Sequence, residues 1–482
     1  MQGFLAALGW SGLRYGCGVS ASKQRRETAG MCLHTQQAGM HVKFRFNKRN
    51  YSNTQEECMK KRTVLTVIVA LLLMWQAPAT AGEVDILVRK MVEKGLLNQQ
   101  DADAILKETK AEAAKERTET IAATKEALMT GKDAPFMLAS ALPAWVKNTT
   151  LKGDFRLRYQ YTDREGDTGN RNRGRYRLRL AVVTKLNEKV DVGFGVATGG
   201  SNPRSAVQDM KNTFEKAEIR LDLAYAAYRP FNWLQLIGGK FQNPLWVPGG
   251  SFLWDSDIRP EGVTAVMQRT VGGVELFMNS GFWILDEYSD SSDDPVMWVA
   301  QPGYKVNLGK RAYFKNALTV YQFSNVKGAE LDYSSKSNTL NADKTLAKDY
   351  DAVVLSGELG YQTGLALIPF ASVYSEYINN TSTSSKDGGY LCGFKFGHDK
   401  VAKKHQWQTL FHYQRLEKDA WLDTFPDADV YGGETNTEAY VLKFVYGLMD
   451  NIDFTTTYYY SVPLTGPSDD ENNLHVEVNF KF

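Results

Sequence analysis

Five arginines recur at every second position in two neighbouring stretches of the sequence, and this spacing has chemical consequences. They are Arg156 and Arg158 in the first stretch, and Arg175, Arg177 and Arg179 in the second. Side chains two residues apart lie on the same face of a β-strand, and a guanidinium keeps its charge at any physiological pH. Two such strands side by side predict either a basic wall that biases which ions pass or a solvated polar face without a selective role.

A second candidate group lies in residues 242–260, which combine large apolar side chains with carboxylates. Loops normally run over the surface and are polar, so tryptophans in this segment indicate that it folds inward. Folding inward would bring its acidic residues opposite the basic wall and create a transverse electric field. The predicted constriction residues are Trp246, Trp254, Asp255, Asp257 and Glu261.

Motifs for catalysis or metal binding are missing from the sequence. It contains no Walker A sequence, no zinc-type cysteine spacing and no G-x-S-x-G elbow. His405 and His412 are seven residues apart on one predicted strand, so they face opposite sides and cannot share a metal ion. We therefore expect no enzyme activity, no metal and no other cofactor. The acidic segment 417–434 is expected to be a solvated loop, with divalent cations or lipopolysaccharide as alternative contacts.

Composition excludes several classes of protein. The 482 residues have a mean hydropathy of −0.38, which argues against a bundle of membrane-spanning helices, because each helix needs about 20 consecutive apolar residues. The 57 Lys and Arg nearly balance the 55 Asp and Glu, so a nucleic-acid partner is not expected. Four cysteines in so long a chain exclude a small disulfide-stapled fold.

Residues 59–81 have the three parts of a secretory signal peptide. A basic start at Lys60 is followed by an apolar core from Val64 to Met74 and by the cleavage motif ending at Ala81. The core is too short to cross about 30 Å of hydrocarbon. We therefore expect translation to begin at Met59, with residues 1–58 a disordered start-site misassignment or, alternatively, a long leader. Cleavage after Ala81 leaves 401 residues with a net charge of −6.

Residues 82–130 are predicted to form a periplasmic helical segment. They are rich in Ala, Glu and Lys, contain no proline, and place apolar residues at helical spacing. Asn98 is a candidate N-cap for the second helix. The segment is interpreted as either a coiled coil that spaces or trimerises the protein or a mobile helical leader. Residues 131–149, with two prolines, are predicted to be a linker.

From residue 150 to residue 482 the apolar period changes to two. The last strand is typical: Leu474, Val476 and Val478 alternate with His475 and Glu477. Sixteen such runs are predicted, at 150–162, 174–186, 190–199, 217–229, 233–241, 261–270, 272–285, 296–308, 316–325, 350–361, 365–378, 387–398, 405–416, 435–448, 450–461 and 472–482.

The strand count and the connections predict an all-β transmembrane fold. Short connections alternate with long polar ones and the number of strands is even, which is the pattern of a bacterial outer-membrane barrel. A soluble sandwich is the alternative, but sixteen strands with one charged face would be difficult to bury in one core. A closed 16-stranded antiparallel β-barrel turns apolar side chains to lipid and charged ones to water, and leaves no open edge.

The signal peptide, helical leader, barrel and C-terminal aromatic residue together resemble the bacterial putative porin family. The segment GKFQNPLWVPGGSFLWDSDIRPEGV, residues 239–263, is similar to that family's N-P-x-W … L-W-D-S-D … E-G-V pattern. The resemblance implies an outer-membrane homotrimer whose third loop narrows the barrel. Phe480 and Phe482 are interpreted as the signal that the barrel insertion machinery reads, with membrane lipid and lipopolysaccharide as further partners.

The expected function is passive diffusion of small hydrophilic solutes or ions through a water-filled barrel. A barrel-anchored tether or adhesin that links the outer membrane to the cell wall is the alternative. Ion preference stays open at this point, because the arginines favour anions while the acidic loops and the net charge of −6 favour cations. An outer-membrane lipase is disfavoured, because no lipid-facing serine and histidine lie in phase.

Overall fold

The computed structural model describes residues 148–166, 169–250, 252–467 and 469–482, together with residues 90, 92–94, 97–108 and 111. The predicted signal peptide and the residues before it lie outside these ranges, as does all of the predicted linker except residues 148 and 149. The chain divides into two compact units, Met1–Arg117 and Thr118–Phe482.

The first unit contains helix α1, residues 99–108. Asn98 caps this helix as predicted, because its side-chain oxygen accepts the backbone N–H of Asp101 at 2.8 Å. Ala102 is buried. The predicted coiled coil remains a prediction. Across the described residues, helices with the length and apolar character needed to cross a membrane are absent.

The second unit is an antiparallel β-barrel. Its strands are β1 (Thr149–Arg164), β2 (Arg171–Lys185), β3 (Val190–Thr198), β4 (Gln208–Asp209), β5 (Ile219–Phe231), β6 (Leu234–Lys240), β7 (Glu261–Val271), β8 (Val274–Ile284), β9 (Val296–Leu308), β10 (Ala312–Ser324), β11 (Ala352–Gln362), β12 (Phe370–Asn380), β13 (Gly388–Gly397), β14 (Trp407–Leu416), β15 (Thr437–Met449), β16 (Ile452–Pro463) and β17 (Glu471–Lys481). A 3₁₀ turn covers Tyr431–Gly433.

Sixteen of these strands are long, and they form a closed ring. Each long strand pairs with the next along the chain, and β17 returns to pair with β1 in the register Arg158↔Glu477. The two-residue β4 extends the ladder on β2 beyond the end of β3. The predicted 16-stranded antiparallel barrel is therefore confirmed. Its strand bounds differ from the predicted ones by a few residues, the largest difference being that β12 begins at Phe370 rather than at residue 365.

Burial alternates along the strands as the sequence predicts. On β1, Leu157 and Tyr159 are 40% and 47% exposed, whereas Arg158 and Gln160 are 7% and 3% exposed. Apolar residues at alternate positions thus face outward to lipid, and their polar neighbours face inward. At one end of the barrel the turns are short. The two-residue turn between β7 and β8 is Gly272-Gly273, both at positive φ, as a tight hairpin turn requires.

Three long loops at the other end of the barrel contribute apolar side chains to a core inside it. We call them L3 (241–260), L5 (325–351) and L7 (417–436). Their apolar side chains pack with inward-facing residues of β8 to β14 in one buried cluster, which includes Trp254 of L3, Tyr350 of L5 and Trp421 of L7. The expectation of a solvated acidic loop at 417–434 is wrong, since Asp419 and Asp423 of L7 are 3% and 1% exposed.

Candidate pore-lining site

The five predicted arginines lie together on the inward faces of β1 and β2. In the register of this strand pair, Arg156 is opposite Arg177 and Arg158 is opposite Arg175. Directly opposed like charges destabilise a sheet. The arrangement therefore requires carboxylates close to the guanidinium groups.

The arginines of β1 find their partners on the closing strand and on L7. Glu477 of β17 lies 2.5 Å from Arg158 and 3.3 Å from Arg156. Asp429 of L7 lies 3.2 Å from Arg158, and Asn479 accepts a hydrogen bond from Arg156 at 3.0 Å. Closure of the barrel therefore neutralises the first half of the basic wall.

The arginines of β2 form ion pairs with carboxylates on three other elements. Asp154 of β1 lies 2.8 Å from both Arg177 and Arg179. Asp257 of L3 lies 3.0 Å from Arg179 and 3.5 Å from Arg177. Arg175 pairs with Asp209 of β4 at 2.6 Å.

The basic wall is consequently a mixed cluster of five arginines and five carboxylates. Sequence reasoning found the arginines and missed most of their partners: Asp154, Asp209, Asp429 and Glu477. The alternation along β1 and β17 already placed Asp154 and Glu477 on the polar face. Their pairing required the register with which the first and last strands meet, which the sequence pattern does not specify.

L3 begins along the inner wall of β8 to β10. The backbone N–H and C=O of Trp246 form hydrogen bonds with the side chain of Gln301 on β9, at 2.8 and 2.9 Å. Lys315 of β10 lies 4.4 Å from the centre of the Trp246 ring. The indole N–H of Trp254 donates to Tyr321 of β10 at 3.1 Å. Both predicted tryptophans thus contact inward-facing side chains of the barrel.

The second half of L3 is held by L7. The indole N–H of Trp421 donates to the carbonyl of Leu253 at 2.8 Å. Asp255 donates its backbone N–H to the carbonyl of Phe425 at 2.7 Å and accepts the N–H of Ala428 at 3.1 Å. The ring of Trp254 stacks on that of Phe425, with centroids 4.5 Å apart. Two residues after Asp255, Asp257 forms ion pairs with Arg177 and Arg179 of β2.

Burial gives the carboxylates of L3 and L7 different acidities. Burial, reinforced by the negative charge of Asp427, raises the pKa of Asp255 well above its ordinary value. Burial and the charge of Asp429 raise the pKa of Asp427 to about 7. Burial acts in the same direction on Asp257, but Arg177 and Arg179 outweigh it and lower its pKa. L3 therefore carries one carboxyl that favours the neutral form and one that is an anion.

Glu261 does not join the other predicted constriction residues. It is the first residue of β7 and pairs with Lys240 of β6 at 2.5 Å. Its face is that of Val263, which is 57% exposed on the outside of the barrel. This outward ion pair joins the two residues that flank L3.

Among the described residues, the inward-facing cations without an ion pair include Arg173, Lys315 and Lys443. The Nε atom of Arg173 is buried without a hydrogen-bond partner. Lys315 lies over the rings of Trp246 and Phe277. Lys443 faces inward, because it lies opposite Thr457 of β16, whose side chain is buried inside the barrel. Sequence reasoning missed Lys443, whose only signal was its alternation with Leu442 and Phe444.

The acidic side chains of L7 act as acceptors for L5. One carboxylate oxygen of Asp423 accepts the backbone N–H groups of Ser337 and Asn338, at 2.7 and 3.1 Å. Asp419 accepts the N–H and the hydroxyl of Thr339, at 2.8 and 2.7 Å. These carboxylates satisfy backbone donors that no strand partner reaches.

The C-terminal aromatic residues lie at the seam between β17 and β1. The ring of Phe480 is 5.8 Å from that of Phe155, and Phe482 exchanges two backbone hydrogen bonds with Gly153, at 2.8 and 3.0 Å. Their recognition by the insertion machinery remains a prediction. Within the described ranges, groups of three or more His, Cys, Asp or Glu side chains arranged to hold a metal ion are absent.

Comparison with known proteins gives a family and several similar folds. The family described as "Putative porin" matches residues 162–357 and 350–482. Pseudomonas putida OprB, in a high-pH structure, is 11% identical over 73% of this chain and 97% of its own, with a TM-score of 0.49. A triple mutant of the Rhodopseudomonas blastica porin is 12% identical over 69% of this chain and all of its own, with a TM-score of 0.39.

The search of curated proteins found no match for the chain. The family match, in contrast, extends over more than half of the 482 residues and includes L3, the Arg175–Arg179 stretch and the closing strand. The resemblance seen in residues 239–263 is thereby confirmed, and the chain belongs to the putative porin family of bacterial outer-membrane proteins.

Proposed function

We propose that this porin-type barrel is a passive pore for small hydrophilic solutes or ions, narrowed by L3. The single observation that carries the proposal is the sequence of contacts along L3. They start at Gln301 of β9, continue at L7 through Asp255, and end at Arg179 of β2. A segment with contacts on both sides of a barrel restricts the space that remains for solutes.

The charged inner wall favours polar solutes over apolar ones as the molecules that pass. Carboxylates and guanidiniums form ion pairs across β1, β2 and β17. Water and small solutes exchange hydrogen bonds with such a surface at little cost, whereas apolar compounds would gain nothing from it. We further propose export through the signal peptide cleaved after Ala81, and membrane lipid and lipopolysaccharide as the surroundings of the barrel.

A homotrimer is part of the proposal, and the outer wall supports it. Between β5 and β10 the lipid-facing surface has a depression of about 890 Å³. Ala265, Ser280 and Ala300 are direct cross-strand neighbours in its floor. Small residues allow close approach of a second surface inside a membrane, where packing rather than hydrophobicity stabilises association.

The tether or adhesin is the second candidate, and one observation favours it. The buried cluster built by L3, L5 and L7 fills part of the lumen with apolar side chains. A barrel that was filled completely would serve only as an anchor for the N-terminal helical segment.

Recording of purified protein in planar lipid bilayers separates the two functions. We expect discrete current steps, grouped in threes if the barrels are trimeric. A variant with L3 residues 247–250 deleted should give larger steps, because less chain then occupies the lumen. Protein that is folded, as judged by its circular dichroism, and yet gives no current would contradict the pore and support the tether.

A further inference from the structure

Most of the inward-facing cations of the barrel are neutralised by nearby carboxylates. Each of the arginines in the β1–β2 cluster has a carboxylate oxygen within 3.3 Å. A pair of opposite charges at such a distance has a weak field a few ångströms away, and salt screens it further. The arginine cluster therefore offers little net charge to a permeating ion.

Lys443 differs from Arg173 and Lys315, two other inward-facing cations without an ion pair. Arg173 has its Nε atom buried, and Lys315 lies against two aromatic rings. Lys443 makes no hydrogen bond or ion pair within the described part of the chain, and its residue is exposed although it faces the lumen. Its ammonium is therefore available to ions in the lumen.

The position of Lys443 is beside the tip of L3. Two residues earlier on β15, Val441 pairs with His412 of β14. Gly250 of L3 lies next to that histidine, since a Cβ atom on the glycine would be 3.4 Å from the imidazole Cε1. On the other side, β16 separates β15 from Glu477 of β17. Lys443 thus lies between Gly250 of L3 and the arginine–carboxylate cluster.

We infer that Lys443 is the residue that selects ions by charge in this pore and that its ligands are small anions in transit. The inference rests on the proposed pore and names its preferred cargo. An exposed ammonium beside L3 acts over the width of the passage, because low-dielectric walls concentrate its field.

The test is the reversal potential in a KCl gradient, measured for the unmodified protein, Lys443→Gln and Lys443→Glu. We expect the unmodified pore to prefer chloride. Lys443→Gln should lower the chloride-to-potassium permeability ratio about fivefold, the effect of one unit charge at contact distance in water. Lys443→Glu should lower it further, to a preference for potassium.

Lys395→Gln is the matched control. This lysine also faces inward, on β13, but it already pairs with Asp399 at 3.1 Å and Glu358 at 3.7 Å. Its removal should change the permeability ratio less than removal of Lys443. An equal or larger change would show that inward lysines contribute alike and would overturn the inference.

Charge rescue keeps the test independent of folding. Lys443→Cys is prepared together with Cys392→Ser, because Cys392 has a free, exposed thiol that the reagents would otherwise also modify. Aminoethyl methanethiosulfonate adds an ammonium to the thiol as a mixed disulfide and releases methanesulfinate. The reagent should restore the chloride preference, whereas the sulfonatoethyl reagent should deepen its loss.

The outcomes separate this inference from the proposed function. Absence of current steps in the unmodified protein contradicts the pore itself. A different result is that current steps occur but their reversal potential is the same in Lys443→Gln, in Lys443→Glu and after the thiol reagents. That result would leave the pore intact and overturn the role of Lys443.

Discussion

Asp154 illustrates how strongly single carboxylates determine the electrostatics of this barrel. It lies 2.8 Å from both Arg177 and Arg179, and Arg177 in turn is opposite Arg156. Hydrogen bonds between charged groups are stronger than neutral ones. Without Asp154, adjacent guanidiniums would repel one another in the same wall.

Asp154→Asn should therefore shift the pore toward anions and destabilise it. The amide keeps one acceptor but loses the charge, so we expect a higher chloride-to-potassium permeability ratio and a free energy of unfolding lower by about 1–3 kcal/mol. Reversal potentials and urea unfolding in detergent measure the two effects. Asp191→Asn is the control, because Asp191 pairs with Arg229 outside the cluster; an equal change in both variants would contradict the prediction.

The orientation of these side chains was predictable, whereas their partners were not. Alternation with Leu157 and Tyr159 was enough to place Arg158 inside the barrel. Its partner Glu477 is 319 residues away in the sequence and becomes a neighbour only through the β1–β17 register. Such a register is set by barrel closure as a whole rather than by a local pattern.

L3 and L7 form a contact whose stability should depend on pH. Asp255 is buried and Asp427 is half-buried at this contact. Desolvation and the charge of Asp429 raise the pKa of Asp427 to about 7. An aspartate in the unfolded chain has a pKa of about 4. When the pKa is higher in the folded state, the protonated carboxyl makes its full contribution to stability at a pH below about 4. That contribution is lost as the pH rises through 7.

Open-channel current noise should therefore increase when the pH is raised above about 7. Ionised Asp427 would repel the anions Asp429 and Asp257 and loosen the contact with L3, while the arginine partners of Asp257 and Asp429 stay charged. Asp427→Asn should keep the noise constant across this range, and Asp343→Asn, at an exposed site on L5, should keep the wild-type profile. An unchanged pH dependence in Asp427→Asn would refute this mechanism.

At the level of elements, the strands were predictable and the loops only partly so. Alternating patterns over ten or more residues left few other structures for the strands. The tryptophans of L3 indicated burial, but the carboxylates of L7 suggested water. The composition could not show that Asp423 accepts backbone N–H groups from L5, because such acceptors are needed only where irregular segments are buried together.

Closure of the whole barrel depends on a tight contact between its first and last strands. Gly153 of β1 lies under the ring of Phe482, where a Cβ atom would be 2.5 Å from a ring carbon and 2.9 Å from the carbonyl of Arg179. The same two residues exchange the final backbone hydrogen bonds of the seam. A side chain at this position must displace the terminal aromatic ring.

Gly153→Val should lower the free energy of unfolding by about 1–3 kcal/mol, as expected for overpacking. Urea unfolding followed by tryptophan fluorescence in detergent micelles measures it. Gly357→Ala on β11 is the control, since its added methyl group would have no neighbour closer than 3.8 Å. Equal stabilities of the two variants would show that the terminal ring adjusts without cost.

The buried cluster of L3, L5 and L7 has a final consequence for the shape of the passage. It thickens the wall on the side of β8 to β14, whereas the charged side chains of β15, β17, β1 and β2 lie on the other side. Any conducting route is therefore expected to lie off-centre, beside these charged strands. A solute should then pass according to how it fits the space beside these strands, so molecular weight alone is a poor guide to what crosses.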